Sequence, residues 1–189
     1  GHVGGAAMTD SPVDEIFHAF LERGGDFYGE NVSQLEHALQ CAFLASQEGA
    51  GDHLIAAALL HDFGHLFEGR GEAAETEGRD ARHEVHGART LGRWFGREVT
   101  GPIALHVSAK RHLCAAEPGY EEGLSPASRL SLQLQGGRFT AEERLRFERS
   151  PFAADAVRLR RWDDTGKIPD LVVPGLEHYR PLLERLVAV

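Results

Sequence analysis

Cysteine is scarce in this chain. Its 189 residues hold two, Cys41 and Cys114, in no CxxC pair. That excludes a disulfide framework and a thiolate zinc site, and it fits a reducing cytoplasm. Positive charge is also short. Twenty Lys and Arg against 29 Asp and Glu leave a formal net charge of −9 with histidine neutral, which argues against a general nucleic-acid binder or a polybasic membrane-surface protein. No apolar run reaches the ~18 residues of a membrane span, and no basic-then-apolar start marks a secretory signal. Strand-like alternation is confined to Leu171–Val173, too short to build a sheet. Against these shortages stand eleven histidines. A metal held by this chain takes nitrogen and oxygen donors.

The length suits one domain that buries roughly 70 % of its unfolded surface. Gly1–Ala7 (GHVGGAA) precede Met8 and read as a tag remnant, leaving residues 8–189 as a single domain. The periodicity is helical nearly throughout. Pro12–Arg23 and Ser33–Glu48 carry apolar residues at 3–4 spacing, the second ended by Gly49. Asp52 is placed to cap the next helix, whose Leu54–Leu60 (LIAAALL) is apolar on every side, the pattern of a buried central helix. Further helices are expected at His83–Phe95 and Val99–Leu113, from Ser125-Pro126, from the capping-box pattern Thr140–Glu143, from Ser150-Pro151 to about Trp162, and over Gly175–Leu186. The polar stretch Glu68–Arg82 reads as a surface loop. The fold class is all-α, with eight to ten helices.

His61-Asp62 closes the apolar helix, where a charged residue is costly unless paired or bound to a metal. His37 lies 24 residues before it, His83 22 after, and His106 another 23 on; Asp163 follows near the end. The order is His, His-Asp, His, His, Asp. The flanks are Gly29-Glu30, QLEHALQ (34–40), LLHDFGH (59–65), HVSAKRH (106–112), QGG (135–137) and LRRWDD (159–164). Together these resemble the HD superfamily, and within it the phosphonate-cleaving oxygenases of the PhnZ and TmpB type, relatives of myo-inositol oxygenase. The resemblance runs from about Tyr28 to Asp164.

That resemblance implies a helical HD-domain bundle around a dinuclear site holding a mixed-valent Fe(II)/Fe(III) pair. It places Asp62 as the bridge, His37, His61 and Asp163 on one iron, and His83 and His106 on the other. It implies a reaction in which O2 is a co-substrate and the C–P bond of a small zwitterionic phosphonate is broken: a 1-hydroxy-2-(amino or trimethylamino)ethylphosphonate, giving phosphate and glycine or glycine betaine. Lys110, Ser128, Gln135 and Arg160 are then expected to hold the phosphonate, with His65 reaching the substrate and Glu30 facing its amine. Spacing alone puts Lys110 one turn from His106, and Arg160 one turn from Asp163, each pair on one helix face. The resembling pattern Tyr-x-Gly-Glu is here Phe27-Tyr28-Gly29-Glu30, with the tyrosine one residue late. Phe27 and Tyr28 are candidates for a lid or an amine contact, and aromatic faces would suit a quaternary ammonium; primary and quaternary amines both stay open. The rival reading is an HD-type metal-dependent phosphohydrolase acting on a nucleotide or small phosphate ester, for which His37, His61, Asp62 and Asp163 suffice. No partner nucleic acid or membrane is expected.

Overall fold

Side chains written at the helix starts set the helix boundaries. Ser11, Ser33 and Thr140 each accept the backbone N–H three residues on, while Asp14, Glu36 and Glu143 reach back to the cap, closing reciprocal capping boxes. The structure is a computed structural model that describes residues 10–68 and 83–188. The segment read as a tag remnant and residues 69–82 of the expected Glu68–Arg82 loop lie outside the described residues. In chain order the helices are α1 (Pro12–Arg23), α2 (Gln34–Gln47), α3 (Asp52–Leu60), α4 (Gly64–Glu68), α5 (His83–Leu91), α6 (Arg97–Ala116), α7 (Pro126–Gln135), α8 (Ala141–Glu148), α9 (Ala153–Thr165) and α10 (Leu176–Leu186). A 3-10 turn spans Glu121–Gly123, and the described residues contain no strand. The all-α class is therefore observed. Among the described residues, no helix is long and apolar enough to cross a membrane.

Three expected boundaries are corrected. Gly51, not Asp52, is the N-cap of α3; Asp52 is its first helical residue and pairs with Arg185 at 3.1 Å. The helix expected to reach Phe95 stops at Leu91, where Gly92, the poorest ordinary helix former, begins a turn. Ser150-Pro151 forms a turn and α9 begins at Ala153, because the Phe152 ring is seated against Gly101 of α6, where even a Cβ would approach to 2.5 Å. A tertiary contact outweighs the local start signal there.

Helix α6 runs through the middle and packs against α3, α5 and α9, while α2 packs against α3 and α9. Leu54–Leu60 are all buried, as an all-round apolar helix requires. The main core joins Ile16, Phe20, Leu59, Leu60, Phe63, Ile103, Leu159 and Trp162. Burying each such side chain contributes about 1.5–3 kcal/mol relative to exposure. Trp94 and Phe43 are only partly buried.

The crossing of α4 and α5 depends on glycine. A Cβ on Gly64 would stand 2.0 Å from the His83 carbonyl oxygen and 3.0 Å from the Gly87 nitrogen. These are backbone atoms, and His83 heads α5. Gly64→Ala is expected to destabilise the protein by about 3 kcal/mol, or roughly 10 °C in Tm, and to weaken metal retention by displacing His83. An unchanged melting temperature would show that the two helices can separate without cost.

Candidate metal centre

Four helices and one helix end deliver the charged groups to one point. Helix α3 ends at Leu60, so His61 and Asp62 enter directly from the most apolar element. Helix α2 supplies His37, α5 supplies His83, α6 supplies His106 and α9 supplies Asp163. Asp62 is the hub: its carboxylate lies 3.7 Å from His37 Nε2, 3.3 Å from His61 Nε2, 2.9 Å from His83 Nε2 and 3.6 Å from His106 Nε2. Asp163 Oδ1 lies 2.8 Å from His37 Nε2 and 3.2 Å from His61 Nε2.

The backbone fixes the tautomers. His37 Nδ1 donates to the Gly166 carbonyl at 2.8 Å, His61 Nδ1 to Ala58 at 2.7 Å and His106 Nδ1 to Ile103 at 2.7 Å. A carbonyl only accepts, so each Nδ1 carries the proton and each neutral ring turns a lone pair outward at Nε2. Those lone pairs meet carboxylates, which also only accept. His61 Nε2 is buried and makes no hydrogen bond. Acceptors facing acceptors in a buried space call for a cation between them.

The titration tendencies agree. With protons standing in for a cation at the Nε2 atoms, burial pushes the Asp62 carboxyl up, but a charged His61 and the His106 and His83 rings beside it outweigh burial and hold it well below the usual range. Burial acts likewise on Asp163 and is overcome by Arg160, His61 and His37. Burial pushes His61 down, and Asp62 and Asp163 more than reverse this. The cluster attracts positive charge, which metal ions supply in place of protons.

His37, His61, Asp62 and Asp163 present ligand atoms all within 4.8 Å of one another, and Asp62, His65 and His83 form a second such group. The donors are imidazole and carboxylate, the set that suits iron or manganese. Cys41 lies 3.7 Å from His37, but burial, then Asp163, pushes its thiol well up, so it stays protonated. The groups therefore fit bound metal, with Asp62 common to both sets of donors. His106 faces Asp62 across from His83, their rings 5.4 Å apart. His65, expected at the substrate, also stacks on His83 at 3.8 Å.

Beside this cluster lies a cavity of about 80 Å³. His37, Asp62, His65, His83, His106 and Asp163 form one wall, and Phe27, Tyr28, Glu30, Lys110, Ser128, Gln135 and Arg160 join them. Every residue singled out in the sequence thus lies at this cavity or, like His61, directly behind it. Lys110 and Arg160 are almost fully buried, at 2 % and 4 % exposure. Burial, then the Arg160 charge, brings the Lys110 ammonium down to about 7. Its Nζ donates to the Ser128 carbonyl at 3.0 Å. Ser128 Oγ and Gln135 Oε1 are buried without a hydrogen-bond partner. Two cations and an unsatisfied hydroxyl around one small space, with the Gln135 amide beside them, describe an anion site. Tyr28, at positive φ, packs on the His65 ring at 4.4 Å and donates to the His65 carbonyl at 3.4 Å; Phe27 is 45 % exposed.

Several functional groups have no local sequence signal. Asp164 accepts from Arg160 Nε at 3.1 Å and from the Tyr120 hydroxyl, fixing the guanidinium. Gly166 receives His37. Lys167 and Ser125 both reach Glu30. They arrive from the turn after α9 and the cap of α7, and only tertiary structure brings them near. His112 packs on Phe147 and is partly buried. His86, which could share the face of His83, is exposed.

Comparison with known proteins adds three findings. The family model described as HD domain matches residues 35–146. The hydroxymethylphosphonate dioxygenase of Gimesia maris is 47 % identical over 173 residues, covering 91 % of this chain and 86 % of that protein. The [1-hydroxy-2-(trimethylamino)ethyl]phosphonate dioxygenase (glycine-betaine-forming) of Leisingera caerulea is 39 % identical over 177 residues, covering 93 % and 90 %.

Proposed function

The chain belongs to the HD-domain family, in the branch of its phosphonate dioxygenases, and from that premise we propose that it uses O2 and two iron ions to break the C–P bond of a 1-hydroxyphosphonate. The products are phosphate and the carboxylate derived from C1. The carrying observation is the set of three Nδ1-anchored histidines whose Nε2 atoms converge on Asp62 and Asp163, beside a cavity walled by Lys110 and Arg160.

Bound between these residues, an iron pair supplies redox chemistry with O2 and a Lewis acid for substrate oxygens. His37, His61 and Asp163 would hold one ion, His83 and His106 the other, with Asp62 shared. The mixed-valent state of that pair is part of the same proposal. The chain's own contribution is placement. Lys110 Nζ and the Arg160 guanidinium fix the phosphonate oxygens, with the Ser128 hydroxyl and the Gln135 side-chain NH2 as further donors at the same space. Asp164 and Tyr120 stop the guanidinium from turning. Tyr28 and His65 close one side of the cavity and keep water from the reacting carbon. The balance needs no external reductant: C1 loses four electrons, one O2 accepts them, and a proton is released.

The acidic composition and the small cavity support a small-molecule substrate and no nucleic-acid partner. The two buried free cysteines support a cytoplasmic setting. The experiment is anaerobic iron loading followed by hydroxymethylphosphonate, 2-amino-1-hydroxyethylphosphonate and its trimethylated analogue, each with and without O2. Phosphate and a carboxylate are expected only with O2. Phosphate released equally under argon would identify a hydrolase instead.

A further inference from the structure

Glu30 already has a cation. Its Oε2 receives Lys167 Nζ at 2.7 Å and the Ser125 hydroxyl at 2.9 Å, and Nζ also lies 3.4 Å from Ser125 Oγ. Both charged side chains are mostly buried, at 19 % and 14 % exposure, and both line the cavity beside the metal centre.

The pair stands on fixed backbone. Gly166, just before Lys167, accepts His37 Nδ1 at 2.8 Å. Ile168, just after it, exchanges two hydrogen bonds with Gln40, at 2.7 and 2.9 Å. The Lys167 N–H donates to the Thr165 carbonyl at 2.9 Å, and the Glu30 N–H to Phe27 at 2.9 Å. Lys167 is thus held against α2 on both sides. Swinging it out of the cavity would strand a half-buried carboxylate, a costly state.

A substrate ammonium needs an unshared carboxylate. Here it would stand beside the Lys167 ammonium already seated on Glu30 Oε2, and a like charge at such close range is repulsive in a poorly solvated pocket.

We propose that Lys167 is a specificity-determining residue: its ammonium takes the place of a substrate amine on Glu30, and the pocket therefore selects 1-hydroxyphosphonates without an ammonium group, hydroxymethylphosphonate being the smallest. This rests on the reading of the cavity as a 1-hydroxyphosphonate site.

The test uses the iron-loaded protein with O2 and measures kcat and KM for the three phosphonates named above. The wild-type kcat/KM for hydroxymethylphosphonate is expected to exceed that for either amine-bearing substrate by about 100-fold or more. In Lys167→Met, which frees Glu30, that preference should narrow at least about tenfold, through a lower KM for the 2-amino substrate. Glu30→Gln, which leaves Lys167 unopposed, should widen it. Equal wild-type efficiency on all three substrates overturns the assignment even if neither variant folds. A Lys167→Met variant that loses efficiency equally on all three also overturns it, and makes Lys167 a further phosphonate contact. Either outcome leaves the reaction standing. Absence of O2-dependent turnover on every substrate removes the reaction and this assignment together.

Discussion

Asp62→Ala is expected to empty the metal centre. Four histidine Nε2 atoms lie within 3.7 Å of this one carboxylate, and no other described acid reaches His83 and His106 together with His37 and His61. Without it, two cations a few Å apart would lose the negative charge between them. The remaining histidines and Asp163 offer an incomplete set to either ion. Iron per chain after loading and desalting should drop from about two to a small fraction of one, and turnover should fall by at least about 10³-fold, since Lewis-acid stabilisation supplies several kcal/mol. The fold should survive, because Asp62 packs at the cavity rather than in the apolar core. Burial, no longer opposed as strongly by Asp62, should bring the His61 imidazole down from its raised value. A folded Asp62→Ala protein that retains both irons would end the bridging role.

Arg160→Met carries the second large effect, and it acts on two levels. The guanidinium lies 2.8 Å from Asp163 Oδ2 and 3.1 Å from Asp164 Oδ1, and is almost fully buried. Its pKa is pushed up because Asp163 and Asp164 more than offset the cost of burial. Removing it leaves the buried Asp163 and the partly buried Asp164 without their cation, which costs about 3–5 kcal/mol. It also removes a positive charge and the Nη1 donor from the proposed phosphonate site, so kcat/KM should fall about 10²–10³-fold, mainly through KM. The pH dependence has a definite sign. Asp163 is held below its ordinary value in the folded protein, so its pairing adds stability above the ordinary carboxylate range and loses it as pH falls through the folded value. Without Arg160 the Asp163 carboxyl rises, and the metal-free variant should lose less stability on acidification than the metal-free parent. Urea midpoints between pH 7 and pH 3 read this directly. Parallel curves would show that the pair contributes nothing net.

Much of the centre was legible because its signals are local. Ser33 and Glu36, three apart, fix where α2 starts and so which face His37 takes. The apolar run Leu54–Leu60 announces burial, and His61-Asp62 at its end is conspicuous for that reason. Lys110 and Arg160 each share a helix face with a metal-binding candidate, which spacing alone reveals. The unread part is tertiary. Lys167 follows the end of α9 in a turn with no periodicity, and nothing in its neighbours points to a glutamate 137 positions away. Gly64 looks like any turn glycine until α5 is laid across it. Asp164 reads as an exposed acid beside Asp163, yet with Tyr120 it sets the orientation of Arg160. Phe152 defeats an ordinary Ser-Pro start by docking on Gly101. In each case a non-local contact of a few ångströms overrides or adds to what spacing can say.

The most direct measurement is the stoichiometry of the reaction. Iron-loaded protein is mixed with hydroxymethylphosphonate in an oxygen-electrode cell, and phosphate is determined in the same sample. One phosphate per O2 consumed is expected, with formate as the carbon product and no phosphate under argon. Phosphate formed without oxygen consumption, or oxygen consumed without phosphate, would contradict oxidative C–P cleavage at this centre.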